Sequence, residues 1–284
     1  MARIRHRQGF TTIELLVAMT VLIFIVIMMT RIFTDASNIW NLGTRRVQTA
    51  ADGRVIMDFI VREMTQALAD DVVTFRLDSG GASRVFPYAQ RAYGADSDAV
   101  AFVAGVRPPP GVSLRNSHQF IYFITEMRDE YDVVMPNRYR LVRMRRTTAM
   151  YNNLNNLQRS AYRDREWWRN MTPSFTTQEQ GQSVETIAEN IAGFEVWAFS
   201  EKAAAEGRGS GGGYVFDYDS RTESDLLPLW LDVYMELLSD HDAQTAAMLW
   251  GADPNAAADF VSRNAKRFNA RVFFPNRERA LAFN

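Results

Sequence analysis

The 284-residue sequence contains no cysteine and only three histidines. The absence of cysteine excludes disulfide bonds, metal sites ligated by thiolates and a thiol nucleophile. His6, His118 and His241 are scattered along the chain, and none has the spacing of a two-histidine metal motif. We interpret His118 as a surface or partly buried strand residue and His241 as part of a solvated helix start. Because an enzyme needs a convergent set of reactive groups, we predict no catalytic site.

The sequence also lacks a marked excess of positive or negative charge, with 32 basic and 33 acidic residues and a formal net charge of −1. Overall charge therefore gives no reason to expect nucleic-acid binding. There are two arginine-rich runs, 143–146 and 163–169, and the second contains the pair Trp167-Trp168; a combination of arginines and aromatic residues can bind phosphates. We favour an arginine-rich strand face and a tryptophan pair that caps the core. An exposed contact for another protein subunit remains the alternative for this pair.

Motifs that hold metals or phosphates are absent or incomplete. Carboxylates concentrate between Asp217 and Asp225, as they do in calcium loops, but this run lacks the glycine and the ligand spacing of an EF-hand. We interpret it as a solvated acidic loop, with a calcium site as the alternative. The glycines at 209–213 are not followed by the Gly-Lys-Ser/Thr ending of a phosphate loop. We predict no metal and no cofactor.

The longest apolar run extends from Phe10 to Thr30, which is close to the length of about 20 residues that crosses the hydrocarbon core of a membrane. The arginines at positions 3, 5 and 7 precede it, so we expect the N-terminus on the cytoplasmic side. A conventional cleaved signal peptide is disfavoured, since no small-x-small cleavage site comes soon after Met29. An uncleaved single-pass anchor remains an alternative.

Glu14 is the only charged residue between Phe10 and Arg31. An acid within a membrane helix costs about 2.5–3.5 kcal/mol, and less toward the interface, so we expect it to have a partner. If the chain is cut between Gly9 and Phe10, the new amino terminus of a neighbouring copy is a cation at the same depth. Loss of the three leader arginines would also bring the net charge from −1 to about −4.

The block from Gly9 to Met19 resembles the type IV prepilin family, which includes the pseudopilins of type II secretion. In that family the prepilin peptidase cuts after the glycine and N-methylates the new first residue, and the acid pairs with an amino terminus during filament assembly. The resemblance implies cleavage between Gly9 and Phe10, N-methylation of Phe10 and a role for Glu14 in filament assembly. The implied partners are prepilin peptidase, other pilins or pseudopilins that pack against the N-terminal helix, and the inner membrane; no nucleic acid is expected.

Apolar residues continue at helical spacing after the membrane segment, and they predict one helix from Phe10 to Leu68. Val55 to Leu68 should pack on the globular region, whereas Ile32 to Val47 could also pack against other copies. Gly43 and Gly53 are weak points that each cost about 1 kcal/mol relative to alanine. The expected division is a basic leader at 1–9, a transmembrane helix at 10–30, its amphipathic continuation at 31–69 and an extracytoplasmic head at 70–284.

Beyond Asp70 the sequence predicts a β-rich head with short helices, so the fold class is α+β. We predict a short helix or turn at Ser183–Ala192, a mobile hairpin tip at Gly207–Gly213, and a loop at 152–169 with a helical turn near its end. Asp240–Phe268 reads as helical, divided at 251–254. The predicted strands are Val72–Leu77, Ala99–Val103, Gln119–Thr125, Arg138–Arg145, Phe194–Ser200, Leu229–Leu238 and Ala270–Phe274.

Residues 188–196, followed by Leu227-Pro228 and an alternating strand, resemble the J-type minor pseudopilins, in which two small β-sheets follow the long helix. The runs Arg138-Tyr139-Arg140-Leu141 and Met150-Tyr151 are similar to prepilin-like proteins of the Verru_Chthon cassette protein C group. The helical segment 240–268 departs from a J-type core.

The resemblance implies a pilin-like head on a minor structural subunit of a type II secretion or type IV pilus-like filament. It also implies a single-pass inner-membrane protein with a periplasmic head, which enters the filament after processing. The alternatives are a single-pass, membrane-anchored extracytoplasmic ligand-binding protein or enzyme, and a pilus adhesin or DNA-uptake subunit.

Overall fold

The computed structural model describes residues 11–69, 73–79, 86, 89–93, 97–106, 116–147, 166–171, 182–207, 212–224, 226–275 and 277. The chain divides into two compact units, Met1–Gln48 and Thr49–Asn284. A long apolar N-terminal helix is followed by a β-rich region with short helices, so the predicted α+β layout is confirmed.

The helices are α1 (Thr12–Met64), α2 (Glu201–Ala205), α3 (Asp240–Ala252) and α4 (Pro254–Asn264), with a 3-10 turn at Trp167–Asn170. The strands are β1 (Ala67–Leu68), β2 (Arg76–Asp78), β3 (Ala99–Val106), β4 (Asn116–Arg128), β5 (Val134–Thr147), β6 (Gln182–Glu189), β7 (Ile191–Phe199), β8 (Tyr214–Val215), β9 (Tyr218–Asp219), β10 (Trp230–Leu237) and β11 (Lys266–Phe273).

The part of α1 that belongs to the first unit buries none of its side chains: every described residue from 11 to 48 is exposed. The helix is long and apolar enough to cross a membrane. Isolated helices gain little stability from propensity alone, so an apolar helix of this kind needs a surrounding that covers it. A bilayer provides such a surrounding for about 20 residues.

The remainder of α1 is part of the core of the second unit. Gly53, Met57, Ile60 and Met64 are buried, and their spacing places them on one face of the helix. The helix ends at Met64, so the predicted end at Leu68 is wrong. The two residues of β1 have apolar side chains that also fit helical spacing, but they pair instead with residues 103 and 104 of β3.

The larger sheet has the strand order β6-β5-β4-β3-β2-β9, and β1 also pairs with β3. Its neighbouring strands are antiparallel. Phe102 and Tyr122 point into a first core cluster that includes α1, whereas Ala101 and Ile121 point into a second cluster that includes Trp167. Because side chains alternate between the two faces of a strand, this sheet is buried on both faces.

The smaller sheet has the strand order β11-β10-β7-β8. Its inward residues, among them Phe194, Val196 and Val233, join the first core cluster. The two sheets are connected directly through Asn190, which has a φ of 56° between β6 and β7. Buried Asp98, next to the start of β3, accepts a hydrogen bond of 2.5 Å from the backbone N–H of Val196. The first core therefore lies between the two sheets and α1.

Several strand predictions are confirmed in position, at 99–103, 119–125, 194–200 and 229–238. The predicted strand at 138–145 lies within β5, but β5 begins earlier and runs through Pro136 and Asn137. Asn137 adopts a φ of 60°, and the pairing with β4 shifts at Glu126/Met127. The proline and asparagine thus occupy an irregularity within the strand.

The predicted helix or turn at Ser183–Ala192 is wrong, since this segment forms most of β6, a one-residue turn and the start of β7. Thr186 pairs with Val142 and Ala188 pairs with Leu141, so Ile187 is an extra residue at a bulge. A bulge interrupts the two-residue alternation of a strand. Val184 consequently contacts the second core cluster, whereas Ile187 and Ala188 contact the first. The result is an apolar spacing that imitates a helix.

The helical prediction at 240–268 is confirmed for two helices divided near Gly251–Pro254. Asp253 caps α4 by accepting hydrogen bonds from the backbone N–H groups of Asn255 and Ala256, and Pro254 occupies the first turn, where its missing N–H costs nothing. The helix ends at Asn264 and β11 begins at Lys266, so the predicted helical end at 266–268 is wrong. The strand predicted at Ala270–Phe274 begins four residues earlier than expected and ends at Phe273. Val72, residues 152–165 and 208–211 lie outside the described residues.

Candidate functional site

The carboxylate of Glu14 is held at the beginning of α1 by Thr11. The backbone N–H and the hydroxyl of Thr11 each donate to Oε2 of Glu14 at 2.9 Å, and the backbone N–H of Glu14 is 3.3 Å from the hydroxyl oxygen of Thr11. This reciprocal arrangement is a capping box, which satisfies N–H groups that the first helical turn leaves unpaired. The pattern Thr-x-x-Glu is visible in the sequence, and it gives Glu14 a role within its own chain.

Gly9 and Phe10, the proposed cleavage site, lie outside the described residues, as does the basic leader. The structure therefore describes one of the three predicted functional positions, Glu14. The described hydrogen bonds to its side chain all involve Oε2. These bonds fix the orientation of the carboxylate at the end of the apolar segment.

Exposed apolar side chains recur along α1 after Glu14, throughout the first unit. Beyond the length that a membrane covers, Phe33 is 77% exposed and Trp40 is 76% exposed. Burial of a large apolar side chain contributes about 1.5–3 kcal/mol relative to exposure. Other exposed large apolar side chains in this part of the helix are Ile32, Ile39, Leu42 and Val47.

The acidic segment at 217–225 is engaged by donors from the protein itself. Asp219 accepts from Arg76 at 3.1 Å and from Arg221 at 2.5 Å, and Asp217 accepts from the backbone N–H of Ser79 at 3.0 Å. Burial would raise the pKa of Asp219, but the hydrogen bonds from Arg221 and the charges of both arginines together lower it.

A second acid in this segment, Glu223, accepts from Ser200 at 2.5 Å. Within the part of the chain that the structure describes, which excludes Asp225, no group of three or more His, Cys, Asp or Glu side chains is placed to hold a metal ion.

The arginine and tryptophan runs also have structural partners. Trp167 and Trp168 are buried in the second core cluster, so the interpretation as a core-capping pair is confirmed and the exposed-contact alternative is wrong. Arg143 is nearly buried and forms ion pairs with Glu63 on α1 and Glu185 on β6. Its guanidinium is therefore not displayed for phosphate groups. Residues 163–165 lie outside the described part.

The polar network around Arg143 was not predicted from the sequence. The hydroxyl of Tyr122 on β4 donates to the other carboxylate oxygen of Glu63, and the Arg143 guanidinium lies 4.9 Å from the ring centroid of Phe59. Burial raises the pKa of Glu63, although the Tyr122 hydrogen bond and the Arg143 charge oppose this rise. One feature of the sequence could have indicated this network. Glu63 is a charged residue among the apolar positions of α1 that pack on the globular region.

The remaining histidines have unremarkable surroundings. His118 is buried near the start of β4, and burial lowers its pKa, with the charges of Arg145 and Arg143 acting in the same direction. His241 is exposed in the first turn of α3, as its interpretation as a helix-start residue predicts. Neither lies in a described cluster of potential metal ligands.

No protein-family model matches this chain, and no curated protein matches it. What the protein does is therefore inferred from its own residues and geometry.

Proposed function

We propose that this protein is a minor, prepilin-like structural subunit of a type II secretion or type IV pilus-like filament. Its N-terminal leader is removed after Gly9 by a prepilin peptidase, which also methylates Phe10. The helix α1 then anchors the chain in the inner membrane and afterwards contributes to the filament. The protein acts by assembly and carries out no reaction of its own.

The observation that carries this proposal is the extent of exposed apolar surface on α1. A simple anchor needs about 20 predominantly apolar residues, and the run that ends at Thr30 provides them. Trp40 and Val47 lie well beyond that length, and they are 76% and 70% exposed. A membrane anchor has no use for these side chains, whereas a bundle of helices from neighbouring subunits buries them. Large exposed apolar surfaces mark sites of association.

The second support is the position of Glu14. Its carboxylate is oriented by Thr11 through Oε2, and we assign Oε1 as the acceptor for the α-amine of a neighbouring Phe10. In an apolar surrounding such a charge-assisted hydrogen bond is stronger than in water. The capping box and the intermolecular pair are compatible, because a carboxylate accepts several hydrogen bonds.

The third support is the order of the elements. A long helix followed by two β-sheets, with the last part of α1, from Gly53 to Met64, packed into the core, fits the arrangement implied by the resemblance to J-type pseudopilins. The helices α3 and α4 are additional to that arrangement. In this proposal the arginines at positions 3, 5 and 7 keep the leader cytoplasmic, and the head lies in the periplasm.

The test is mass spectrometry of the N-terminus of the protein isolated from native membranes. We expect the chain to begin at Phe10 and to carry an added methyl group on its α-amine. A chain that retains Met1 or Ala2 would overturn the proposal and favour a membrane-anchored ligand-binding protein or enzyme. A Gly9→Leu variant is the control, because its larger side chain should block cleavage while leaving the apolar helix unchanged.

A further inference from the structure

The strand β11 forms an outer edge of the smaller sheet. It pairs with β10 along its whole length, from Lys266 to Phe273, without a register shift, and no other described strand pairs with it. An edge strand presents a row of backbone N–H and C=O groups that can pair with another chain. This edge contains no proline and no bulge, so it is a regular template for an additional strand.

A groove with a volume of about 560 Å³ lies between α1 and residues of β11. Residues 266–270 form one wall, and they include both the inward-facing Phe268 and the outward-facing Arg267. A groove that contacts both faces of a strand follows its edge. Residues 50, 54, 57 and 58 of α1 form the other wall, and their spacing places them on one helix face.

The geometry points to an extended peptide as the occupant. A groove between a free strand edge and a helix suits a peptide that adds a strand to the sheet, with affinity from main-chain hydrogen bonds and specificity from side chains at alternate positions. Five residues of β11 line the groove, which corresponds to about 17 Å of strand at 3.3–3.4 Å per residue. A segment of about five or six residues fills this length.

The charges of the groove select an acidic peptide. Arg54, Lys266 and Arg267 line it, against a single acid, Asp58. Arg267 also pairs with Glu236 on β10, but its side chain is 76% exposed. Exposed pairs of this kind contribute little to stability, so Arg267 can turn toward a carboxylate in the groove. Complementary charge of this type sets partner choice more than overall affinity.

After β11 the described chain extends only as far as Arg277, which lies away from this groove. Four residues after β11, Arg277 donates to the carbonyl oxygen of Leu227 at 3.1 Å and to the carboxylate of Glu201 at 2.6 Å. Leu227 precedes β10 and Glu201 follows β7, and in the strand order both lie on the side of β11 opposite to its free edge. The described chain therefore leaves β11 on the side away from its free edge.

We propose that the groove between β11 and residues 50–58 of α1 binds an extended acidic segment of a partner protein, which adds to β11 as a fifth strand of the smaller sheet. This recognition goes beyond the proposed function and does not depend on leader cleavage or on Glu14. It gives the second unit a binding surface of its own.

The test uses the full-length chain in detergent and two fluorescent hexapeptides, one alternating valine with glutamate and the other valine with lysine. We expect the acidic peptide to bind with a dissociation constant below about 1 mM and at least about tenfold more tightly than the basic peptide. Hydrogen exchange should slow in residues 266–273 when the acidic peptide is added. Absence of acidic-peptide binding, equal binding of both peptides, or binding without slower exchange in β11 would overturn the proposal.

Two charge reversals locate the site. Arg54→Glu should weaken acidic-peptide binding by about tenfold, because an attractive charge becomes a repulsive one. Arg263→Glu is the matched control, since Arg263 lies on α4 with a side chain that is 74% exposed and does not line the groove. It should change binding by less than about twofold. An equal effect of both substitutions would show binding by overall charge and would contradict this site.

Discussion

Arg143 on β5 forms an ion pair with Glu63 on the last turn of α1. The pair lies where the helix packs on the larger sheet; Tyr122 donates to Glu63, and Arg143 also donates to Glu185. A charge pair in such a position is specific for one placement of the helix, because a shift by one residue would leave both charges without their partners. It therefore fixes the register of α1 on the sheet.

Removing Arg143 should destabilise the protein strongly. We expect Arg143→Ala to lower the free energy of unfolding by about 3 kcal/mol, because the partly buried Glu63 carboxylate would lose its cation. Chemical denaturation followed by tryptophan fluorescence measures this change. Arg145→Ala is the control, since Arg145 is 39% exposed and lies 3.8 Å from Glu185, and it should cost no more than about 1 kcal/mol. Similar losses in both variants would contradict a special role for the buried pair.

Acid should weaken the fold through Asp219. The pKa of its carboxyl is lowered from 3.8 in the folded protein, so the folded state binds fewer protons than the unfolded state in this range. Its stabilising contribution is complete above the unfolded pKa, near 3.9, and is lost as the pH falls through the folded pKa. Unfolding measured from about pH 5 down to about pH 2 should show a smaller loss in Asp219→Asn than in the original protein. An unchanged acid dependence would argue against this assignment.

Two glycines in α1 should respond in opposite directions to alanine. A Cβ atom at Gly53 would overlap the ring of Phe268 on β11, whereas Gly43 has no atom within 4 Å that a Cβ would meet. We expect Gly53→Ala to destabilise by about 1–3 kcal/mol through overpacking. Gly43→Ala should be neutral or stabilise by up to about 1 kcal/mol, because alanine favours the helix.

Thermal or chemical denaturation distinguishes these two outcomes. Because the overlap involves the end of one ring, adding Phe268→Leu to Gly53→Ala should recover part of the loss. If the double variant shows no coupling, the close approach of helix and strand is not the cause of the destabilisation.

Glu14 has two roles that substitution can separate. Glutamine preserves the capping box, since it also serves at the third helical position, but it removes the negative charge. We expect both Glu14→Gln and Glu14→Ala to lose incorporation into high-molecular-weight assemblies in native membranes, because neither can pair with an α-amine as an ion. Both variants should still be cleaved after Gly9. Normal incorporation of Glu14→Gln would show that the carboxylate serves the helix start alone.

Substitution of Trp40 tests whether the exposed apolar surface of α1 that lies beyond the membrane-spanning length packs against other subunits. Since its side chain is 76% exposed, Trp40→Ser should change the free energy of unfolding by no more than about 0.5 kcal/mol. The same substitution should reduce recovery of the chain in crosslinked assemblies several-fold, because it removes an apolar contact between subunits. Asn41→Ser at the neighbouring exposed position is the control. Full recovery of the Trp40 variant would remove the main support for packing between helices.

The sequence contained enough information for the helix and for most strand positions. The apolar spacing from Thr12 to Met64 continues over many turns, and long periodic segments are the most reliable to interpret. The end of the helix was misplaced because Ala67 and Leu68 fit both a helix and a strand. Such an ambiguity is resolved only by the pairing of β1 with β3, which no local pattern contains.

The errors at β6 and in the polar network have different physical causes. The bulge at Ile187 breaks strand alternation, and its presence depends on β5, which is distant in sequence. Arg143 was recognised as part of an arginine-rich run, but its acids, Glu63 and Glu185, lie 80 and 42 residues away in the chain. The groove beside β11 could not be predicted from the sequence either. It is formed by the end of α1 and the last strand, which are distant in the chain.

The burial of Met57, Ile60 and Met64 has a practical consequence for anyone who wishes to study the second unit without lipid. A truncation placed after the helix would remove these three side chains from the first core cluster. The apolar surfaces of both sheets that pack against them would then be exposed to water. A soluble fragment has to retain the amphipathic turns from about residue 49 onward, and proteolytic nicking within them should unravel the entire remainder.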